Sequence, residues 1–147
     1  MKTLEEIRKI LAEHKEEIGL IENMEKILTC IKEHPKVVAV YLFGSYAKGE
    51  EKPISDIDIA VILKSPDKKD EADIGSLYSE KIDVVLFHRL PLHIQYEVFK
   101  YGKELFVKDE DYLLEIKLRV LREYLEYSRV YNFIKSEVLK WNLLRTF

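Results

Sequence analysis

The sequence has a single cysteine, no excess of basic over acidic residues and no long apolar run. Its single cysteine, Cys30, has no partner for an internal disulfide, which is typical of the reducing cytoplasm. Cys30 lies within an apolar helical pattern, and we expect it to be a buried structural thiol. No stretch of about eighteen apolar residues occurs, so we expect no membrane-spanning helix. The net charge of −3 argues against direct binding to nucleic acid, which requires a basic surface.

Glycine and proline are also scarce, with five and four copies in 147 residues, and they mark the ends of predicted elements. Pro35 ends an N-terminal region in which helices over 3–17 and 24–34 are separated at Gly19. The apolar run Val37–Phe43 predicts a strand buried on both faces. Further strands are predicted at 56–63, 81–87 and 105–107, helices at 45–49, 91–102 and 109–141, and a polar loop with at most one helical turn at 64–80.

This mixture of elements predicts an α/β (α+β) fold, with a small mixed β-sheet flanked by helices. The length of 147 residues fits one domain with a substantial core. We place a single domain over 1–147, with its core at 22–108 and a C-terminal helical segment at 109–147. Two helices are expected before the first strand and one long helix at the end.

The break after the first strand predicts a phosphate-binding turn. Gly44 lets backbone N–H groups approach phosphate oxygens, and the helix that opens after it favours anions. Ser45 can donate its hydroxyl to a terminal phosphate. Lys48 in the same turn can neutralise charge on a leaving pyrophosphate. With Ser55, which lies in the polar turn before the next strand, these residues are our candidate nucleotide-binding set.

Carboxylates on the next two strands predict a metal site. Asp56 and Asp58 are two residues apart on one strand, so both side chains project from the same face. Two carboxylates this close repel each other unless a cation neutralises them, and Mg²⁺ suits such a site together with substrate phosphate. If the following strand lies alongside, Asp83 can bridge a second metal or accept the proton of the nucleophile. The predicted reaction is nucleotidyl transfer at the α-phosphate of a nucleoside triphosphate.

Each of these residues also has a structural interpretation. A Gly-Ser pair after a strand is commonly a plain turn, although the spaced aspartates make that interpretation weaker here. Asp83 can be an exposed strand residue, and Lys48 a surface lysine. A calcium loop is excluded because the sequence lacks the regularly spaced oxygen ligands and the distal glutamate.

The motif resembles that of the minimal nucleotidyltransferases of the DNA polymerase β-like superfamily. The resemblance covers 37–87 and rests on Gly44-Ser45, Asp56-Ile57-Asp58 and the later Asp83. It implies a polymerase β-like fold, a Mg²⁺–ATP site, and the three aspartates as metal ligands and catalytic residues. The small size is most similar to the MntA-type antitoxins. That likeness implies pairing with a HEPN-domain toxin ribonuclease, which is inactivated by adenylylation of one of its tyrosines.

The predicted C-terminal helix carries two apolar stripes where a surface helix normally needs one. At about 33 residues it would be roughly 50 Å long, which exceeds the width of a compact domain. Either part of it protrudes as a partner-binding surface, or it breaks near Ser128 and folds back. One stripe is Leu114, Leu118, Leu121 and Leu125, and the other is Val120, Tyr124, Tyr127, Tyr131, Ile134, Val138 and Trp141.

Three functions fit these features. The leading hypothesis is a protein adenylyltransferase antitoxin that transfers AMP from ATP to its toxin partner. A nucleotidyltransferase acting on a small molecule would usually need a further domain to hold the acceptor. The third is an antitoxin that neutralises its partner by occlusion without turnover.

Overall fold

The computed structural model describes residues 18–44 and 57–145, with side chains for 22–44 and 57–143. The predicted helices at 3–17 and 45–49 lie outside these residues. The elements, in chain order, are α1 (Ile18–Glu33), β1 (Val37–Phe43), β2 (Ile57–Leu63), α2 (Lys68–Gly75), β3 (Ile82–Leu86), a 3₁₀ turn (Phe87–Arg89), α3 (Leu92–Tyr101), β4 (Lys103–Val107) and α4 (Glu110–Arg145).

The four strands form one mixed sheet in the order β3-β2-β1-β4. β1 runs antiparallel to both of its neighbours, whereas β2 and β3 are parallel. A parallel pair needs a crossover connection, and α2 lies within the one that joins β2 to β3. The fold prediction of a small mixed sheet flanked by helices, with a long helix at the end, is confirmed.

The predicted polar loop at 64–80 is wrong, because eight of its residues form α2. The helix begins at a capping box in which the Asp67 side chain accepts from the Asp70 N–H and the Asp70 side chain accepts from the Asp67 N–H. Its one fully buried apolar residue is Ile74. The helix is therefore fixed by its cap and by a single anchor, and it lacks the apolar stripe that reveals a helix in a sequence.

The sheet separates two apolar layers. One face packs against α1 and α2, and α1 contributes Met24, Ile27, Leu28 and Ile31 to that layer. The other face packs against α3 and α4. Cys30 is exposed, so the expectation of a buried thiol is wrong: the residue lies outside the buried stripe of α1. Gly19 does not interrupt α1, which already runs from Ile18.

The long helix α4 is continuous over 36 residues, or about 54 Å. It packs on the sheet through Leu113, Ile116 and Val120. In the residues that follow, 121–143, no side chain is buried. We call this segment the arm, and of the two predicted alternatives the protruding helix is confirmed.

None of the helices in the described residues combines the length and the apolarity needed to cross a membrane.

Candidate active site

Gly44 ends β1 with a backbone conformation that other residues rarely adopt, at φ +81°. A Cβ atom placed on this residue would lie 2.5 Å from Oδ2 of Asp58. The absence of a side chain at position 44 therefore lets the Asp58 carboxylate reach the backbone of the turn. The predicted strand-ending glycine and one predicted metal ligand are direct neighbours.

Asp58 and Asp83 face each other across the parallel pair of β2 and β3, where they are register partners. Alternation along the strands puts Asp58 on the face that holds Ala60 and Ile62, and Asp83 on the same face as Val85. Asp58 is half-buried and Asp83 is exposed. Since adjacent strands are about 4.8 Å apart, two carboxylates in this register are close enough to bind one cation between them.

The chemistry of these donors fits Mg²⁺. Both side chains offer hard carboxylate oxygens, and the exposed Asp83 leaves room for water and phosphate ligands, which Mg²⁺ retains in most protein sites. Gly44 directly follows β1, so this glycine and the two carboxylates lie at one level of three neighbouring strands. The other predicted site residues, Ser45, Lys48, Ser55 and Asp56, lie outside the described residues.

A second group of potential metal ligands within the described residues is His34, Asp70 and Asp73. It lies near α2, on the opposite side of the sheet from Asp58. The Lys36 N–H donates to Nδ1 of His34, which leaves Nε2 of that ring to carry the proton. Nε2 is 3.5 Å from both Asp70 Oδ1 and Asp73 Oδ2. These contacts tie α2 to the turn before β1, and we assign the group a structural role.

Sequence reasoning missed a cavity beside Gly44. It has a volume of about 150 Å³ and lies between the end of β1 and α3; we call it the α3 cavity. Four of its residues are spaced so that they share one face of α3, and this spacing was the available signal. It could not show which strand that face meets. The lining residues are Phe43, Gly44, Ile94, Glu97, Val98, Tyr101 and Gly102.

Gly102 explains why the end of α3 lies so close to β1. A Cβ atom on Gly102 would be 2.2 Å from the Val98 carbonyl oxygen and 3.0 Å from that of Leu42. No other residue fits this contact without moving the helix or the strand. This packing keeps the α3 cavity next to Gly44.

Comparison with known proteins places this site in a family. The model of the family described as Polymerase beta, Nucleotidyltransferase matches residues 25–111, a range that includes Gly44, Asp58 and Asp83. A Methanocaldococcus jannaschii protein, provisionally named a protein adenylyltransferase, is 31% identical, and the match covers 71% of this chain and 98% of that protein. A second protein from the same organism is 46% identical, and that match covers 46% of this chain and 64% of the relative.

Further relatives extend the likeness to proteins of known structure. Protein adenylyltransferase MntA of Shewanella oneidensis is 28% identical over 73% of this chain and 82% of its own length. A chain of a toxin–antitoxin complex solved with AMP-PNP superposes with a TM-score of 0.59 at 25% identity, covering 80% of this chain and 97% of that chain. A chain from the complex of a tri-AMPylated Shewanella oneidensis HEPN toxin with its MNT antitoxin shares the fold, with a TM-score of 0.55 at 24% identity over 80% of this chain and 96% of that one. The chain therefore belongs to the polymerase β nucleotidyltransferase family.

Proposed function

We propose that this protein is a Mg²⁺-dependent adenylyltransferase antitoxin, which transfers AMP from ATP to a tyrosine of a HEPN-class toxin and thereby neutralises it. The observation that carries the proposal is the alignment of Gly44, Asp58 and Asp83 on three adjacent strands. MntA, a relative over most of its length, is named a protein adenylyltransferase. The structure at 25% identity is a toxin–antitoxin complex solved with an ATP analogue. The single cysteine is consistent with a cytoplasmic location.

The proposed chemistry assigns each site residue a role. Mg²⁺, held by Asp58 and Asp83 together with Asp56, would neutralise the triphosphate and polarise its α-phosphate. Gly44 keeps the turn open for phosphate oxygens, with Ser45, Lys48 and Ser55 as the other nucleotide-binding residues. The tyrosine oxygen forms a bond to the α-phosphorus as the bond to pyrophosphate breaks. The phenolic proton passes to a carboxylate, for which Asp83 is our candidate.

The C-terminal helix is the proposed toxin-binding surface. Its stripe of four leucines is exposed along the whole length, with exposed fractions of 45–58%. The arm adds exposed aromatic side chains, including Tyr127, Phe133 and Trp141. Aromatic residues are enriched in protein interfaces, and apolar patches of this extent are uncommon on surfaces that face only water. We propose that 1–147 acts as one domain, in which 22–108 carries the catalysis and 109–147 supplies recognition.

Neutralisation by occlusion is a second candidate, and the exposed arm is the observation that favours it. A helix that covers the toxin can block it whether or not AMP is transferred. The two functions differ in what they require of Asp58. Transfer requires its carboxylate as a metal ligand, whereas occlusion does not.

The deciding experiment combines the protein, Mg²⁺, ATP labelled at the α-phosphate and a HEPN-class protein encoded by a neighbouring gene. Label that appears on a toxin tyrosine supports the adenylyltransferase. The Asp56→Asn/Asp58→Asn double variant serves as the matched inactive protein. If this variant still neutralises the toxin at equal concentration, occlusion is the function and the proposal of transfer is wrong.

A further inference from the structure

The α3 cavity has the size and the lining of a pocket for a flat aromatic ring. At about 150 Å³ it matches cavities that admit a benzene-sized molecule. Phe43, Ile94 and Val98 give it apolar walls. Tyr101 forms part of the rim, and its 48% exposure shows that the ring is accessible to a ligand from outside. Such a pocket favours a ring that is buried at one end and reaches solvent at the other.

One polar group among these walls gives the pocket chemical selectivity. Glu97 lines the cavity and is half-buried, one helical turn before Tyr101 on the same face of α3. Within the residues that the structure describes, the side chain of Glu97 makes no hydrogen bond or ion pair. An ionised carboxylate only accepts hydrogen bonds, so a ligand ring in this pocket should present an N–H or O–H donor.

The position of the cavity assigns it to the nucleotide rather than to the acceptor tyrosine. Gly44 belongs both to the cavity and to the phosphate-binding turn. Under the proposed function the leaving pyrophosphate lies at Gly44, so an acceptor in line with it approaches from the side away from Gly44. Asp83, on the far strand of the sheet order, marks that acceptor side.

Resting on the proposed function, we infer that the α3 cavity binds the adenine base of ATP and that Glu97 accepts a hydrogen bond from its exocyclic amino group. A carboxylate that accepts from an amino group is a standard way to recognise a base edge. Phe43 and Tyr101 supply the aromatic surfaces on which the base packs. Glu97 is thus a specificity-determining residue, which selects bases that carry an amino group.

The experiment measures binding of Mg²⁺–ATP and Mg²⁺–ITP to the full chain by isothermal titration calorimetry. ITP has a carbonyl oxygen where ATP has the amino group, so the two ligands differ at the atoms proposed to face Glu97. The wild type is expected to bind ATP about tenfold more tightly than ITP. Glu97→Gln can donate to the carbonyl oxygen of ITP, and it is expected to remove most of this preference.

Glu115→Gln, an exposed change on α4, is the matched control and should keep the wild-type ratio. An ATP-to-ITP ratio that is the same in Glu97→Gln as in the wild type would overturn the assignment. If Glu97→Gln instead weakens toxin binding and leaves the ATP-to-ITP affinity ratio unchanged, the cavity binds the toxin and not the base. A wild-type preference for ATP without AMP transfer to the toxin would contradict the proposed function alone. No binding of ATP at all would contradict both the proposed function and the assignment of the α3 cavity.

Discussion

The body of the protein, residues 22–120, and the arm, residues 121–143, treat apolar side chains in opposite ways. In the body, β1 and β2 bury nearly every residue and α4 buries Leu113, Ile116 and Val120. In the arm, no residue is buried although its apolar content remains high. The end of the body and the whole arm belong to one continuous helix, α4, which runs across residue 120. The difference therefore does not come from local sequence preference but from the presence or absence of a surface to pack against.

The junction of the two regions shows how abruptly packing ends. Tyr124 stacks on Tyr96 of α3, with ring centroids 3.8 Å apart and planes within 4°. One turn further on, Tyr127 is 55% exposed. We interpret the body as the unit that carries the chemistry and the arm as the unit that carries recognition. Three experiments test this division, and a fourth tests a polar contact within the body.

The largest expected effect comes from the site. Asp58→Asn should reduce Mg²⁺-dependent AMP transfer by at least about a hundredfold, because it removes the charge of a metal ligand without opening a cavity in the core. Toxin binding by the arm should be retained, which a pull-down at matched concentrations measures. Asp111→Asn, an exposed change in the first turn of α4, is the control. Unchanged turnover in Asp58→Asn would remove this residue from the site.

Shortening the chain after Ser128 should weaken toxin binding by about thirtyfold or more, because it deletes most of the exposed aromatic surface. Binding of Mg²⁺–ATP should stay within about twofold, since the site lies on the sheet in the body. Calorimetry with each ligand measures both quantities. An equal loss of toxin and nucleotide binding would show that the arm supports the body and would break the division.

The same substitution in the two regions gives a direct measure of packing. Ile116→Ala should lower the free energy of unfolding by about 2–5 kcal/mol, because Ile116 is buried on the sheet. Ile134→Ala, on the same helix but 53% exposed, should change it by no more than about 0.5 kcal/mol. Urea denaturation of the isolated protein provides both values. Comparable losses would mean that the arm is packed in solution, for example against a second copy.

The smallest effect is expected at α2, which is held by polar contacts. The hydrogen bond from the Asp67 backbone, with Lys36 and His34 nearby, lowers the pKa of Asp70. The charged form therefore stabilises the fold at pH above the usual carboxyl range, and this stabilisation is lost as the pH falls through the lowered pKa. Asp70→Asn should have a Tm slightly below that of the wild type at pH 7, and this difference should narrow as the pH falls below the usual carboxyl range. Circular dichroism melts of the wild type and Asp70→Asn, with Asp73→Asn as a comparison, provide the test. A difference in Tm that widens in acid would contradict the prediction.

Much of the body could be predicted from the sequence because its signals are local. β1 was predicted with its exact bounds, since seven consecutive apolar residues suit a strand buried on both faces. The pairing of Asp58 with Asp83 followed once the third strand was placed beside the second. Gly44 was identified because the Gly-Ser pair after this strand is followed at a short spacing by Asp56 and Asp58.

The errors occur where the deciding contact is distant in sequence. α2 was missed because its cap and Ile74 replace an apolar stripe. The sequence could not show which stripe of the C-terminal helix meets the sheet: Leu113 and Ile116 are buried there, whereas Leu114 and Leu118 are exposed. Glu97 was passed over because a charged helical residue usually faces water, and only the fold places it beside Gly44.

The contact between Gly44 and Asp58 also has a thermodynamic consequence. Because the Asp58 carboxylate lies against the backbone at Gly44, we expect a shift of one to displace the other. An ion bound at Asp58 should therefore favour the conformation of the turn that binds ATP, and bound ATP should favour the conformation of Asp58 that binds the ion. Linkage then requires ATP and the divalent ion to raise each other's affinity by the same factor. A free nucleotide would then bind weakly, and the protein would respond to the magnesium complex as its true substrate.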